Sequence, residues 1–117
     1  DACVPISRLA ECIVETKQDI AASHLVAALV GHVGDGNFHM IFPVNPDDAG
    51  DIDEAERLSG RLAERAISMG GTCSGEHGVG IGKRKFLALE HGDALEVMRE
   101  IKQTLDPAGI MNPGKML

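Results

Sequence analysis

The sequence has no Trp or Tyr and only three Phe in 117 residues. Its interior must therefore be built from Leu, Ile, Val, Ala and Met. Its three cysteines, Cys3, Cys12 and Cys73, form no CxxC pair. A structural zinc site would need more thiolates. An odd cysteine count without a signal peptide points to reduced thiols in a reducing compartment. No apolar run approaches the roughly 18 residues of a membrane span, and no targeting stretch is visible. Basic residues are scarce: 11 Lys and Arg against 18 Asp and Glu leave a net charge of −7. That balance excludes nucleic acid as a partner, since nothing neutralises phosphates. The one basic run, Lys83-Arg84-Lys85, reads either as a solvated loop or helix start or as help in holding an anion. The chain opens at Asp1 without Met, as a fragment would.

The hydrophobic content is 44%, enough for a folded chain, and the length suits one domain with one core. Pro5-Ile6-Ser7 marks a helix start with Ser7 as N-cap. Leu9, Ile13, Ile20 and Ala21 then form the inner face of an amphipathic helix ending near residue 22. Leu25 to Val30 is a short apolar run that reads as a buried strand. Asn37 to Val44 is a second strand, ended by Pro43 and Pro46. After a polar loop at 45–50, Ala55, Leu58, Leu62, Ala66 and Met69 recur at helical spacing between Asp53 and Met69, and Gly70-Gly71 stops the helix. A short helical piece lies around Phe86 to Glu90. Asp93 to Glu96 has capping-box spacing and opens a helix with Ala94, Val97, Met98, Ile101 and Leu105 inward, ended at Asp106-Pro107. The tail holds too much Pro and Gly for regular structure. The whole is an α+β unit, a single domain over 1–117.

The chemistry gathers in two glycine-rich segments. In GHVGDGNFHM (31–40), a two-residue turn at Asp35-Gly36 makes a hairpin in which His32 directly opposes His39. Opposed residues share a sheet face. The pair reads as a plain cross-strand contact or as two metal ligands, and SGEHGVG (74–80) favours the second by offering Glu76. Two imidazoles and a carboxylate with positions left open form a catalytic rather than a structural ligand set. His77, beside Glu76, is the acid/base candidate, or else only bonds within its loop. His24 and His91 sit at element ends and read as surface or capping residues. Gly78 to Lys83 is no phosphate loop, because Arg84 stands where Ser or Thr is required.

GHVGDGNFH, GTCSGEHGVGIGKRKFL and LDPAGIMNPGK, in this order and spacing, resemble the C-terminal part of flavin-linked D-2-hydroxyacid dehydrogenases of the vanillyl-alcohol-oxidase superfamily. The nearest resemblance is to the D-lactate dehydrogenase (cytochrome) type, with glycolate oxidase and D-2-hydroxyglutarate dehydrogenase as relatives. The resemblance spans essentially all 117 residues. It implies a ferredoxin-like, antiparallel α+β domain packed on an N-terminal FAD-binding domain that is absent here. It implies that His32, His39 and Glu76 hold a divalent metal such as zinc, that His77 takes the substrate hydroxyl proton, and that Asn112 lies near the flavin ring. A small 2-hydroxy acid becomes a 2-keto acid, its hydride passes to FAD, and electrons leave to cytochrome c, a quinone or an electron-transfer flavoprotein. The setting would be cytoplasmic, at the inner membrane, or mitochondrial.

Cationic residues that anchor the substrate carboxylate in relatives would lie before Asp1. A relative that takes a dicarboxylate has a polar residue two after the second His, where this chain has Ile41. That difference favours a monocarboxylate such as lactate. Two rivals remain. A non-haem iron oxygenase would use the same ligand set, but its usual short His-x-carboxylate spacing is absent. Alternatively the chain alone is a metal-binding module, inert and colourless without flavin, and prone to self-association into a homo-oligomer through the apolar face that normally meets the FAD domain.

Overall fold

The computed structural model describes all 117 residues. They form two compact units, 1–77 and 78–117. No helix is long and apolar enough to cross a membrane, and none of the three cysteines is in a disulfide.

The first unit runs β1 (Ala2–Cys3), α1 (Ile6–Ala21), β2 (Ala28–His32), β3 (Asn37–Ile41) and α2 (Ala49–Ser68). The three strands are antiparallel in the order β1-β3-β2. After α2 the chain returns beside β1, where Cys3 and Thr72 exchange backbone hydrogen bonds of 3.1 and 2.8 Å. With that bridge in the fourth-strand position, the arrangement is the split βαβ of ferredoxin-like folds. The α+β expectation stands, with β1 added to it.

Period-two alternation decides which side chains meet the helices. Phe38, Ala2, Leu9, Cys12, Leu62, Ala66 and Met69 pack into one buried cluster, with Leu29 and Met40 against it. The α2 stripe is buried as its spacing predicts: Leu58 is 1% exposed and Ala66 fully buried. Burying one such leucine contributes about 2 kcal/mol. The opposite sheet face carries Asn37 and His39 from β3 and His32 from β2.

Several boundaries differ from expectation. Ser7 caps nothing; Pro5 occupies the N-cap and makes no side-chain bond. Helix α2 starts at Ala49, four residues early, because Asp48 accepts the Gly50 N–H at 2.8 Å. An Asx turn at Asn45 leads into that cap. The strand predicted over Leu25 to Val30 begins only at Ala28 and is mostly exposed, since β2 lies at the sheet edge with β3 on one side only.

Polar groups tie α1 to α2. The Arg65 guanidinium bonds Glu15 at 2.8 Å and the Thr16 hydroxyl at 3.0 Å, and also pairs with Asp19. Arg61 reaches Asp19 at 2.7 Å. Burial alone would push the Asp19 carboxyl up, but the hydrogen bonds from Arg61 and Arg65 outweigh it and hold it below its ordinary value. A depressed carboxylate stabilises the fold above its unfolded pKa, and that stability is lost as pH falls through the folded value. Thermal unfolding of the full-length protein should therefore show this domain losing stability from about pH 5 downward. Asp19→Asn should flatten that loss; an unaltered acid limb would reject the clamp.

The second unit holds a turn at Arg84–Phe86, α3 (Leu87–His91) and α4 (Ala94–Leu105). Asp93 already has helical backbone angles and makes no side-chain cap, so the predicted capping box is not formed. The predicted inner stripe also fails: Leu95 is the buried residue of α4, whereas Val97, Ile101 and Leu105 are more than half exposed. A five-residue α3 is too short to cover a helix of three turns. Buried Asp106 then organises the tail, accepting the Ile110 and Met111 N–H groups at 3.0 Å and pairing with Lys102. That lysine holds the Asp106 carboxyl below its ordinary value, more than burial raises it.

Candidate functional site

The hairpin between β2 and β3 is not closed by a two-residue turn. Residues Val33–Asp35 make one turn of 3-10 helix and Gly36 closes it at φ 74°, so four residues form the loop. His32 consequently pairs with Asn37, and His39 with Val30. The expected direct opposition of His32 and His39 is thus corrected by two positions. An even displacement keeps every side chain on its original face, whereas a slip of one residue would have parted the rings. The two histidines become diagonal neighbours, with ring centroids 6.1 Å apart at 88°. The cause is tertiary: Gly36 carbonyl accepts the Val4 N–H at 3.0 Å. A Cβ at Gly36 would lie 2.1 Å from the Val4 carbonyl oxygen, so the loop tip is pinned where a two-residue turn would not reach.

The segment after the Cys3–Thr72 bridge crosses the same sheet face. Gly75 has φ 51°, and a Cβ there would sit 2.5 Å from both Asn37 Oδ1 and Asp1 Oδ2. Only glycine lets the chain pass this close, and the pass delivers Glu76 and His77. Glu76 Oε1 lies 3.4 Å from His32 Nε2 and 3.0 Å from His39 Nε2. His77 stacks on His39, with centroids 4.9 Å apart at 24°, and its Nε2 is 3.8 Å from Glu76 Oε1. Its backbone N–H donates to Asp1 Oδ2 at 3.0 Å.

The donor set fits a divalent cation. Ligand atoms about 2.1 Å from a common ion at tetrahedral angles lie about 3.4 Å apart, and one donor atom each from His32, His39 and Glu76 lies within 4.8 Å of the others. His39 is 16% exposed and Glu76 48%, so the cluster is anchored on the sheet and open toward solvent. Beside it lies a cavity of about 240 Å³ lined by Cys3, His32, Asn37, Thr72 and Glu76 among others. The buried Asn37 Oδ1 has no hydrogen-bond partner, leaving an acceptor for a donor from a ligand or water.

The structure thus brings together four of the five residues singled out from the sequence: His32, His39, Glu76 and His77. Asn112 belongs to the second unit, exposed in the tail at φ 47°. Asp1 and Asn37 escaped sequence reading; the only signal for Asn37 was its place beside the hairpin glycine, and Asp1 had none. His24 bonds Asp51 at 3.0 Å and His91 lies 3.7 Å from Glu90, as expected of residues at element ends. In the basic run, Arg84 bonds the Gly114 carbonyl and Lys85 lies over the Phe86 ring.

The chain is 50% identical over its whole length to the probable mitochondrial D-lactate dehydrogenase of Danio rerio, of which it covers 24%. It is also 50% identical to the mitochondrial D-lactate dehydrogenase [cytochrome] of Arabidopsis thaliana, covering 21% of it. Against glycolate oxidase subunit GlcD of Bacillus subtilis it is 40% identical, over 99% of this chain and 25% of that one. The chain spans about a fifth to a quarter of the length of these relatives. The family described as FAD linked oxidases, C-terminal domain, matches residues 1–116, across both units. This chain therefore belongs to the C-terminal domain family of the FAD-linked oxidases.

Proposed function

We propose that this chain is the substrate-side domain of an FAD-dependent D-lactate dehydrogenase, oxidising D-lactate or a similar small 2-hydroxy acid to the 2-keto acid. The carrying observation is the convergence of His32, His39 and Glu76 with the His77 ring stacked alongside. His32, His39 and Glu76 would hold the divalent cation, zinc or a similar ion, and its chemistry is to make a hydroxyl group more acidic and to orient it. A flavin, held mainly by the rest of the polypeptide, would supply the hydride acceptor, and Asn112 is the residue of this chain that would contribute to holding it. His77 Nε2 takes the hydroxyl proton, being the imidazole nitrogen that faces Glu76. His32 and His39 stand on the sheet face and the segment crossing it brings Glu76 and His77 to them, so part of the ordering precedes substrate binding. Cytochrome-type relatives favour a cytochrome as the electron acceptor of the whole protein.

Ile41 sets the size of the acid. It follows His39 by two residues on β3, so it shares the site face, and it offers no partner to a second carboxylate. The test is a panel of D-lactate, glycolate and D-2-hydroxyglutarate on the full-length protein with an artificial dye as acceptor. D-lactate should lead in kcat/KM, and the dicarboxylate should trail by about 10²-fold because its distal charge is left unpaired. A preference for D-2-hydroxyglutarate would overturn the substrate assignment.

A further inference from the structure

The site holds one more ionisable group than the chemistry above uses. Asp1 precedes β1, and the pairing of Ala2 with Phe38 turns Ala2 into the core. Alternation then sends Asp1 to the face that carries His39. Its carboxylate is 3% exposed and lies 3.5 Å from His77 Nδ1, while the same Oδ2 accepts the His77 backbone N–H at 3.0 Å. A carboxylate so deeply buried is held there by groups that bond it.

We propose that Asp1 is the positioning residue for His77, its carboxylate holding the proton on Nδ1 so that Nε2 presents a lone pair to the substrate hydroxyl. This inference rests on the reading of His77 as the base. A neutral imidazole carries one N–H, and which nitrogen bears it is set by the partner of the other side. Asp1 Oδ2 can only accept, so it selects Nδ1–H. The opposite nitrogen, 3.8 Å from Glu76 Oε1, is then the acceptor. At 3.5 Å the Nδ1 contact is long for a hydrogen bond, and catalytic contacts of this kind tighten when substrate is bound. The His39 ring, stacked at 24°, fixes the plane in which His77 sits. Tautomer and orientation thus come from two neighbours, as in other carboxylate–imidazole pairs. Gly75 permits the arrangement, since any side chain there would collide with Asp1 Oδ2.

The test uses the full-length protein labelled with nitrogen-15 histidine, the His77 signals being identified through His77→Gln. The wild type should show the Nδ1–H form of His77. Asp1→Ala should convert it to the Nε2–H form, lower kcat about 10- to 100-fold, and change KM and bound metal little. If Asp1→Ala does not fold, Asp1→Asn keeps the volume and one acceptor oxygen, and should give a mixed tautomer with kcat between the two. An Nε2–H tautomer in the wild type would overturn the proposal. So would a wild-type kcat in Asp1→Ala, or a wild-type tautomer and kcat in Asp1→Asn. Loss of bound metal in either variant would overturn it differently, because Asp1, His39 and His77 also bring donor atoms within 4.8 Å of one another and Asp1 would then be a ligand. Full activity in His77→Gln would sink the base assignment, while the tautomer measurement in Asp1→Ala would still report on Asp1.

Discussion

Replacing His77 with glutamine is expected to lower kcat for D-lactate by about 10²- to 10⁴-fold, the range that a positioned general base contributes. KM should change far less, since proton transfer strengthens in the transition state rather than on binding. Glutamine keeps the length of the side chain and can still bond its neighbours, but its amide cannot accept a proton at working pH. His77 is 65% exposed, so the change creates no cavity and fold stability should be nearly untouched. Metal content should also hold, because His32, His39 and Glu76 are left in place. Steady-state rates, together with single-turnover reduction of the flavin, locate the loss in the chemical step. A decrease below about tenfold would remove His77 from the reaction.

The second large effect is expected at Glu76. Its Oε1 stands between the two imidazoles, at 3.4 Å from His32 and 3.0 Å from His39. Two accounts of those contacts make opposite forecasts. If Glu76 only accepts hydrogen bonds from two ring N–H groups, Glu76→Gln retains an acceptor oxygen and little happens. If all three groups grip a cation, the neutral amide forfeits the anionic ligand. Bound metal should then fall well below one per chain and activity by about 10²- to 10³-fold, the worth of several kcal/mol of charge stabilisation. His39→Ala should act similarly, through a residue that is 16% exposed and central to the face. In the unaltered full-length protein, exhaustive chelation should abolish turnover, and zinc or manganese should restore it; neither should rescue Glu76→Gln. Turnover indifferent to chelation would defeat the metal assignment outright.

The site was legible from sequence because its signals are local. Glycines at 31, 34 and 36 declare a reversal, and the histidines flanking it can share a face only if the chain turns between them. The placing of His32 and His39 on one face survived an incorrect turn because sheet side chains repeat every two residues and the displacement was even. Helix α2 announced its buried stripe for the same reason: its spacing is a property of neighbouring residues. Helix α4 shows where that logic ends. Its apolar positions are as regular as those of α2, yet Val97, Ile101 and Leu105 stay exposed in their unit. Periodicity states which residues share a face and says nothing of what covers it.

Periodicity and spacing in the sequence determined the class of fold, the resemblance of three motifs pointed to the family, and two glycine-rich segments supplied four of the residues that meet over the sheet face. The tertiary structure alone decided the register of the hairpin, the strand β1 and the place of Asp1 beside His77. Two-residue β1 is too short to carry a pattern of its own, and it exists only because β3 on one side and Thr72 on the other supply its hydrogen bonds. The contact between Asp1 and His77 joins residues 76 apart in the chain. No local preference encodes such a contact; it follows from the return of the chain after α2 to the edge of the sheet, where Thr72 bonds Cys3.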